Sequence, residues 1–263
     1  MAMLTSEIQK QLAIDQHSQQ ADDFAERYRE LNEDAYRSCF AYSRKRLGIL
    51  LDKYLPQDGT GLRLLDVGCG TGHHLSSLRD RGFQVAGVDG SAEMLEQARA
   101  NNPGSELRQA DVESLPFEDG AFDYVVCIEV LRYLPDPGPC IKEMARVLRP
   151  GGGCLATAAP KLSVNGYFLV NRIANQRKVG NLVRLKQFFT TSWELKADFE
   201  HAGFHPASIN GVYSGPVNWV ERLAPSLLPG VLRTWESLDR RVADQPLLRE
   251  FSNMFLAHAI KSN

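Results

Sequence analysis

The stretch "LLDVGCGTGHH", residues 64–74, places three glycines within five positions, directly after an apolar run that ends in Asp66. Glycine loses more conformational freedom on folding than any other residue, so such a cluster indicates a sharp turn or a close approach to another group. Gly68 permits the turn and Gly70 the close approach. A strand, a glycine turn and a helix together direct backbone N–H groups and the positive end of the helix dipole outward. The stretch therefore predicts a ligand site between a strand and a helix.

Apolar strands alternate with amphipathic helices on both sides of this turn. The predicted strands are "GLRLLDV" (61–67), "FQVAGVD" (83–89), "ELRQAD" (106–111), "FDYVVCI" (122–128), "CLATAA" (154–159) and, last, "NMFLAHAIK" (253–261). Such alternation predicts an α/β fold with a doubly wound, mostly parallel sheet that is covered on both faces. We expect N-terminal helices in residues 1–58 to cover the site and residues 59–263 to form the core. Two stretches outside the alternation, at about 160–190 and 214–250, are predicted to be helical lid insertions.

Composition excludes several classes of protein. The chain has 30 Lys and Arg against 32 Asp and Glu, a net charge of −2, so nothing in its overall charge indicates a nucleic-acid partner. Neither a transmembrane run nor the apolar centre of a signal peptide is recognisable. The five cysteines have no metal-binding spacing. The sequence predicts a soluble, cytoplasmic protein with reduced thiols.

Carboxylates follow two further predicted strands. Asp89 ends the second strand, 21 residues after Gly68, where a carboxylate can accept both ribose hydroxyls, and Asp111 with Val112 follows the third. The carboxyl ends of parallel strands meet at one edge of a sheet, which brings these groups together. A dinucleotide fingerprint would require glycine at position 73, where this chain has His73. The pattern favours a nucleoside ligand and argues against a dinucleotide.

These motifs resemble the class I S-adenosylmethionine-dependent methyltransferases, in particular the bacterial small-molecule enzymes. The matching stretches are "LLDVGCGTG", "VAGVDGSAEML", "ADVESLPFEDGAFDYVVCIEVL" and "EMARVLRPGGG", within about residues 60–205. The resemblance implies a seven-stranded sheet with an antiparallel last strand and S-adenosyl-L-methionine over the glycine turn, with S-adenosyl-L-homocysteine as the product.

The resemblance also implies which residues hold this cofactor. Asp66 and the backbone at Cys127 would contact the methionine part, Asp89 the ribose, and Met94, Asp111 and Val112 the adenine. The turn residues Gly68, Cys69 and Gly70, and Gly90 beside Asp89, complete the expected set. A tyrosine from the leading helices, Tyr28 or Tyr36, would cover the methionine carboxylate.

Residues for the acceptor are less clearly marked. Methyl transfer is an in-line displacement, so the protein contributes chiefly by holding the acceptor, and a base is needed only for an acceptor that is not already nucleophilic. Glu129, Tyr133 and His205 are the candidates, although each also suits a purely structural position. Similar quinone-pathway enzymes carry E-x-x-E-H where this chain reads "EVLRY" (129–133), so no metal is expected. "CIEV" (127–130) replaces the N-P-P-Y loop of enzymes that methylate nucleic-acid bases.

The predicted function is methyl transfer to a small-molecule acceptor through an oxygen, either hydroxyl or carboxylate, of a metabolite, quinone or lipid precursor. The alternatives are an N- or C-methyltransferase, a nucleotide-dependent oxidoreductase, and a non-catalytic partner protein that binds adenosylmethionine. We expect a monomer or homodimer without a nucleic-acid partner, with peripheral membrane contact as an option and an acceptor that is acidic or apolar.

The two insertions allow more than one interpretation. Val231, Trp235, Leu238 and Val242 form a helical stripe that either packs on the core or a second subunit, or roofs an acceptor pocket with Trp219 and Trp235 as walls. Residues 161–193 contain no carboxylate but six cations: Lys161, Arg172, Arg177, Lys178, Arg184 and Lys186. This segment is either a solvated loop or a lid that attracts an acidic acceptor or an anionic lipid surface, contacted by Tyr167, Phe168, Leu169, Val170, Phe188 and Phe189.

Overall fold

The computed structural model describes residues 2–29, 34–165, 168, 178–179, 182–183 and 186–263. Its strands are β1 Arg63–Val67, β2 Gln84–Asp89, β3 Glu106–Gln109, β4 Phe122–Cys127, β5 Leu148–Ala158, β6 Lys178–Val179, β7 Leu182–Val183, β8 Phe204–Gly211 and β9 Phe255–Lys261. Its helices are α1 Ala2–Gln19, α2 Ala21–Arg29, α3 Cys39–Tyr54, α4 His73–Asp80, α5 Ala92–Asn101, α6 Gly138–Val147, α7 Ser192–His201, α8 Val217–Leu223 and α9 Leu228–Val242. Short 3₁₀ turns cover Leu131–Tyr133, Pro225–Leu227 and Leu248–Phe251.

Seven strands form the main sheet, in the order β3-β2-β1-β4-β5-β9-β8, and β6 pairs with β7 in a separate hairpin. Strands β1 to β5 pair in parallel, and β9 runs antiparallel to both β5 and β8. The predicted doubly wound, mostly parallel sheet with an antiparallel last strand is confirmed. Because β1, β2 and β4 are adjacent and parallel, their carboxyl ends meet at one edge, as the motif spacing required.

Apolar side chains bury both faces of the sheet. On one face, Ile141 and Met144 of α6 and Phe199 of α7 pack against the strands. On the other, Tyr42 of α3 and Leu232 of α9 belong to the same cluster as residues of β1, β4, β5 and β9. Helices α3 and α9 are therefore part of the core, and a strand buried on both faces accounts for continuous apolar runs such as "FDYVVC".

Two elements differ from the sequence expectations. Strand β8 was not predicted, because Pro206 and a register shift between Phe204 and Ala207 interrupt its apolar alternation, and it pairs on one side only, with β9. Helix α1 lies within residues 1–58, where N-terminal helices were expected, but its bounds were not predicted. Its inner face carries few apolar side chains, so no stripe marks it in the sequence.

The stripe predicted in the second insertion matches the buried face of the helix only in part, because Val231, Trp235 and Val242 are half-buried and Trp235 packs against the core. The buried residues of α9 are Leu228, Leu232, Glu236 and Asp239, whereas Leu238 is exposed. The helix is real, but two of its inward-facing residues are carboxylates that find partners on α3, and a search for apolar periodicity cannot detect them. None of the helices in the described part of the chain combines the length and the apolar character needed to cross a membrane.

Candidate functional site

A cavity of about 340 Å³ lies at the carboxyl ends of β1, β2 and β4, beneath α1, α2 and α3. Most of the predicted binding residues line it: Tyr28, Asp66, Gly68, Cys69, Gly70, Asp89, Gly90, Met94, Asp111 and Val112. Two of the three predicted acceptor residues, Glu129 and Tyr133, also line it. The structure therefore brings together, in one cavity, groups that are separated by up to 105 residues in the sequence.

The glycine turn has the backbone geometry that its sequence indicated. Gly68 and Gly70 have φ angles of +74° and +52°, in the left-handed region that side chains other than glycine rarely adopt. A Cβ at Gly68 would lie 2.2 Å from Cγ2 of Val130, so that position has no room for a side chain. A residue of the next strand stabilises the turn, because the N–H of Gly70 donates to Oδ2 of Asp89 at 2.9 Å.

Asp89 organises the end of β2. Its carboxylate accepts from the backbone N–H groups of Gly70 and Ser91, both at 2.9 Å. Ser91 in turn caps α5, with its Oγ accepting from the N–H of Met94 at 3.0 Å. Burial raises the pKa of Asp89, and the backbone N–H groups of Ser91 and Gly70 oppose that rise. One carboxylate thus joins the glycine turn to the start of the next helix while facing the cavity.

Asp66 differs in having no protein partner. It is only 1% exposed, and neither of its oxygens accepts a hydrogen bond from any residue that the structure describes. Burial and the charge of Asp89 raise the pKa of Asp66 to about 7. A buried carboxylate that accepts no hydrogen bond destabilises a protein unless a ligand supplies the donors. The carboxylate of Asp66 faces a cavity that is large enough to hold such a ligand. This site therefore suits a ligand that carries a cationic hydrogen-bond donor.

Asp111 is linked to α1 through a buried ammonium. Lys10 Nζ donates to Oδ2 of Asp111 at 2.8 Å and to Oε2 of Glu113 at 2.6 Å, and it pairs with Glu7 at 2.9 Å. Burial alone would lower the pKa of Lys10, but these three hydrogen bonds raise it. Oxygens of Glu7, Asp111 and Glu113 lie within 4.8 Å of one another, a spacing that could hold a metal ion. The ammonium of Lys10 already supplies a cation to this cluster.

Helix α1 contributes four residues to the wall of the cavity, and the sequence had identified none of them. Lys10, Ala13, Ile14 and His17 line it at the spacing i, i+3, i+4 and i+7, which is one face of a helix. The ring of His17 meets that of Tyr133 edge to face at 4.9 Å. The helical period is present in the sequence, but it is carried by a lysine, an alanine, an isoleucine and a histidine.

A second group of unpredicted residues forms the far end of the cavity. The ring of His73 stacks on Tyr28 at 4.3 Å, and Arg44 of α3 donates through Nη2 to Oε1 of Glu129 at 3.0 Å. Arg44 Nε and Nη1 are buried, and no described residue accepts from them. Burial and the charge of Arg44 lower the pKa of His73, and they lower that of His74, with a further contribution from His73, to about 3. Both imidazoles are therefore neutral at pH 7.

Glu129 lies where β4 leaves the sheet and has a backbone φ of +65°, the one positive value among the described residues other than glycine. Its N–H donates to Oγ1 of Thr157 at 2.7 Å, and its carboxylate accepts from Arg44 and Arg132. Burial would raise the pKa of Glu129, but the two guanidinium groups lower it, so the group is ionised and weakly basic. Left-handed backbone at such a residue is costly and concentrates at functional sites.

Tyr133 follows on the adjoining 3₁₀ turn. Burial raises the pKa of Tyr133, so its phenol is protonated at pH 7 and can donate a hydrogen bond into the cavity. With the carboxylate of Glu129 as an acceptor and the hydroxyl of Tyr133 as a donor, this wall can orient a polar group.

Three predicted residues do not bring their side chains to the cavity. Tyr36 instead donates to Glu236 of α9, and the thiol of Cys127 is fully buried among core residues. His205 begins the exposed end of β8 and does not reach the cleft, because β8 is the edge strand on the side of the sheet away from β1.

The structure describes the second insertion, residues 214–250, in full and the first, residues 160–190, only in part. Neither Trp219 nor Trp235 lines the cavity, because Trp219 is exposed and Trp235 packs in the core, where its Nε1 donates to the carbonyl of Ser214 at 3.1 Å. Six of the first insertion's predicted contact residues lie outside the described residues: Tyr167, Leu169, Val170, Arg172, Arg177 and Arg184. The side chain of Lys178 is also outside the described part.

Comparison with known proteins adds family evidence to this geometry. A family model described as "Methyltransferase domain" matches residues 65–156. The chain is 38% identical over 116 residues to an uncharacterized 37.1 kDa protein in a transposon of Streptomyces fradiae, and 43% identical over 112 residues to a demethylmenaquinone methyltransferase of Staphylococcus aureus. These matches cover 42% and 40% of this chain, and span only 33% and 46% of the two relatives.

A longer match is to the ubiquinone biosynthesis O-methyltransferase of Marinobacter nauticus. It is 30% identical over 175 residues, which cover 62% of this chain and 72% of that relative. Among solved structures, a putative methyltransferase from Haloferax volcanii, in complex with the Trm112 activator, has a TM-score of 0.64 at 20% identity, covering 94% of this chain and 98% of its own. The [4+2]-cyclase SpnF has a TM-score of 0.57 at 22% identity, covering 88% and 85%. At these identities the structural matches show the fold alone.

Proposed function

This chain belongs to the S-adenosylmethionine-dependent methyltransferases, and from that premise we propose that it transfers a methyl group to an oxygen of a small-molecule acceptor. The observation that carries the proposal is the buried carboxylate of Asp66, which faces the cavity without a protein donor. A buried carboxylate without a protein donor needs a ligand that supplies one. An α-ammonium group, such as that of the methionine part of the cofactor, offers both a positive charge and hydrogen-bond donors.

The other cavity residues fit the remaining parts of the cofactor. The carboxylate of Asp89 has lone pairs left after its two backbone bonds and would accept from the ribose hydroxyls. The buried N–H groups of Arg44 would donate to the methionine carboxylate, with the stacked rings of Tyr28 and His73 beside it. Met94 and Val112 would pack on the adenine. When bound, S-adenosyl-L-methionine supplies a sulfonium whose methyl group is open to nucleophilic attack.

Glu129 and Tyr133 are proposed to orient the acceptor. Because the pKa of Glu129 is lowered and that of Tyr133 is raised, the first accepts and the second donates a hydrogen bond at pH 7. A carboxylate stabilised by two guanidinium groups is a weak base, so it favours an acceptor whose O–H is acidic and can donate to it, such as a phenol or a carboxylic acid. The chief contribution of the protein is then to hold that oxygen in line with the methyl group and away from water.

A transfer assay with methyl-labelled cofactor tests this proposal. Phenols, carboxylic acids, quinols and amines would be screened separately, with the mass of the product as the readout. We expect labelled oxygen products, a lower kcat for Glu129→Gln and Tyr133→Phe, and unchanged affinity of both variants for S-adenosyl-L-homocysteine in calorimetry. The exposed substitution Glu118→Gln serves as the control. Exclusive labelling of amines, or binding without transfer to any class, would contradict the proposal.

A further inference from the structure

Helix α8 turns apolar side chains outward as well as inward. Val217 and Val220 pack against the core, whereas Trp219 and Leu223 are exposed, Leu223 by 80%. Leu227, on the 3₁₀ turn that follows, is 62% exposed. Exposed leucine and tryptophan side chains in one short region mark a surface that contacts something other than water.

A neighbouring loop adds to this surface. Leu162 and Val164 are exposed, and the residues between and after them fix the loop against the start of α8. Asn165 Nδ2 donates to Oδ1 of Asn218 at 3.1 Å, and Ser163 Oγ donates to Oδ1 of Asn253 at 2.6 Å. Phe168 is also exposed. We define the apolar face as Leu162, Val164, Phe168, Trp219, Leu223 and Leu227.

The apolar face is joined to the wall of the cavity. The ring of Phe168 contacts that of Phe189 at 5.7 Å, and the N–H of Phe188 donates to the carbonyl of Arg132 at 2.8 Å. Arg132 and the adjacent Tyr133 line the cavity. A molecule that enters from this face therefore arrives beside the wall that we assign to the acceptor.

Two basic side chains lie on or next to the apolar face. The guanidinium of Arg222 lies 5.8 Å from the ring centre of Trp219, and Lys186 is exposed near Phe188. Basic residues next to exposed tryptophan and leucine are the combination that binds at the interface of an anionic membrane.

We propose that the apolar face docks on an anionic lipid bilayer and so places the mouth of the site at the membrane surface. An anionic bilayer complements both properties of this face, since its acyl chains accept the apolar side chains while its headgroups attract Arg222 and Lys186. The proposal does not depend on methyl transfer, because docking is measured without turnover.

Vesicle sedimentation of the full chain, saturated with S-adenosyl-L-homocysteine, tests the proposal. We expect binding to vesicles of phosphatidylglycerol and phosphatidylcholine, and at least about tenfold weaker binding to pure phosphatidylcholine, because each cation near the surface contributes roughly 1 kcal/mol. The double substitution Trp219→Ser/Leu223→Ser should weaken binding to the anionic vesicles at least about tenfold. The matched control Leu247→Ser/Leu248→Ser changes exposed leucines elsewhere and should bind as the native chain does.

A charge reversal keeps the test independent of the apolar substitutions. Arg222→Glu should weaken binding and flatten its salt dependence, whereas the exposed Arg241→Glu should change neither. Calorimetric affinity for S-adenosyl-L-homocysteine checks that each variant is folded. The proposal is overturned if the native chain ignores anionic vesicles, or if the two double variants bind them equally. It is also overturned if sedimentation velocity shows a native dimer that Trp219→Ser/Leu223→Ser converts to monomer without any vesicle binding, because the face would then join two copies.

Discussion

Asp66, one residue before the end of β1, and Asp89, the last residue of β2, lie on adjacent parallel strands, and the charge of Asp89 contributes to raising the pKa of Asp66. Asp89 accepts two backbone hydrogen bonds, whereas Asp66 accepts none from the described residues. Two carboxylates in one cavity therefore have different tasks. Asp89 holds the glycine turn in place without a ligand, and Asp66 remains available to one.

The affinity for S-adenosyl-L-homocysteine should depend on pH through Asp66. Burial and Asp89 raise the pKa of Asp66 to about 7, and a bound ammonium favours the ionised form. Affinity should therefore fall below pH 7, by up to about tenfold per pH unit. Calorimetry from pH 5 to pH 8 measures this profile. Asp66→Asn should bind more weakly with a flatter profile, whereas the exposed Asp58→Asn should follow the native curve.

Stability of the ligand-free protein should change with pH in the opposite direction. The pKa of Asp66 is about 7 in the folded chain and about 4 in an unfolded one, so only the folded chain binds this proton between those values. The stability that Asp66 contributes should therefore decrease as the pH rises from 4 and be lost above 7. In urea unfolding, Asp66→Asn should be more stable than the native chain at pH 8, with a smaller difference at pH 5. A less stable variant at pH 8 would contradict the assignment.

Removal of the Asp89 carboxylate should weaken the binding of the cofactor. Asp89→Ala deprives the ribose hydroxyls of an acceptor and also frees the N–H groups of Gly70 and Ser91, so we expect a loss of about 1.5–3 kcal/mol in binding. The measurement is calorimetric titration with S-adenosyl-L-homocysteine. Asp89→Asn keeps one acceptor oxygen and should lose less. Equal affinity of the native and alanine forms would refute the ribose assignment.

The fold and the cofactor end of the site are readable from sequence for a physical reason. Gly68 and Gly70 require backbone angles that few other residues adopt, and Asp66, Asp89 and Asp111 come at the ends of apolar strands. Local sequence therefore specifies both the turn and the carboxylates, and the parallel sheet brings the strand ends together.

Partners that depend on tertiary contacts could not be predicted in this way. Lys10 and His17 have roles only because α1 lies beside the loop that follows β3 and the 3₁₀ turn. Arg44 resembles any lysine or arginine of a solvated helix until the fold buries it beside Glu129. The end of the cavity that we propose for the acceptor consists largely of such residues, so the sequence pointed to Glu129 and Tyr133 there but not to Arg44 and His17 beside them.

A chelator should leave the transfer activity unchanged. The sequence lacks the E-x-x-E-H cluster, and the acidic group of Glu7, Asp111 and Glu113 already pairs with the ammonium of Lys10. We expect equal initial rates before and after treatment with EDTA and dialysis. A reproducible loss that magnesium restores would show that a metal takes part.

Asp239 should be the most sensitive position of α9, although apolar patterning placed its neighbour Leu238 inside. Asp239 is fully buried and accepts from the hydroxyl of Tyr42 and from the N–H and Oγ of Ser214, all at 2.7 Å. It also pairs with Nε of Arg46 at 3.2 Å. Because Tyr42 and Arg46 belong to α3, which carries Arg44 into the cavity, this carboxylate anchors the second insertion to a wall of the site.

Asp239→Ala should therefore cost about 3–5 kcal/mol in urea unfolding, since it leaves a buried guanidinium and a buried hydroxyl without their partner. Asp239→Asn should cost less, because an amide oxygen still accepts from Tyr42 or Ser214. Leu238→Ala, on the exposed side of the same helix, should remain within about 0.5 kcal/mol of the native chain. If Leu238→Ala were the more damaging substitution, the buried face of α9 would be the one that apolar periodicity predicted, and the carboxylate would have no anchoring role.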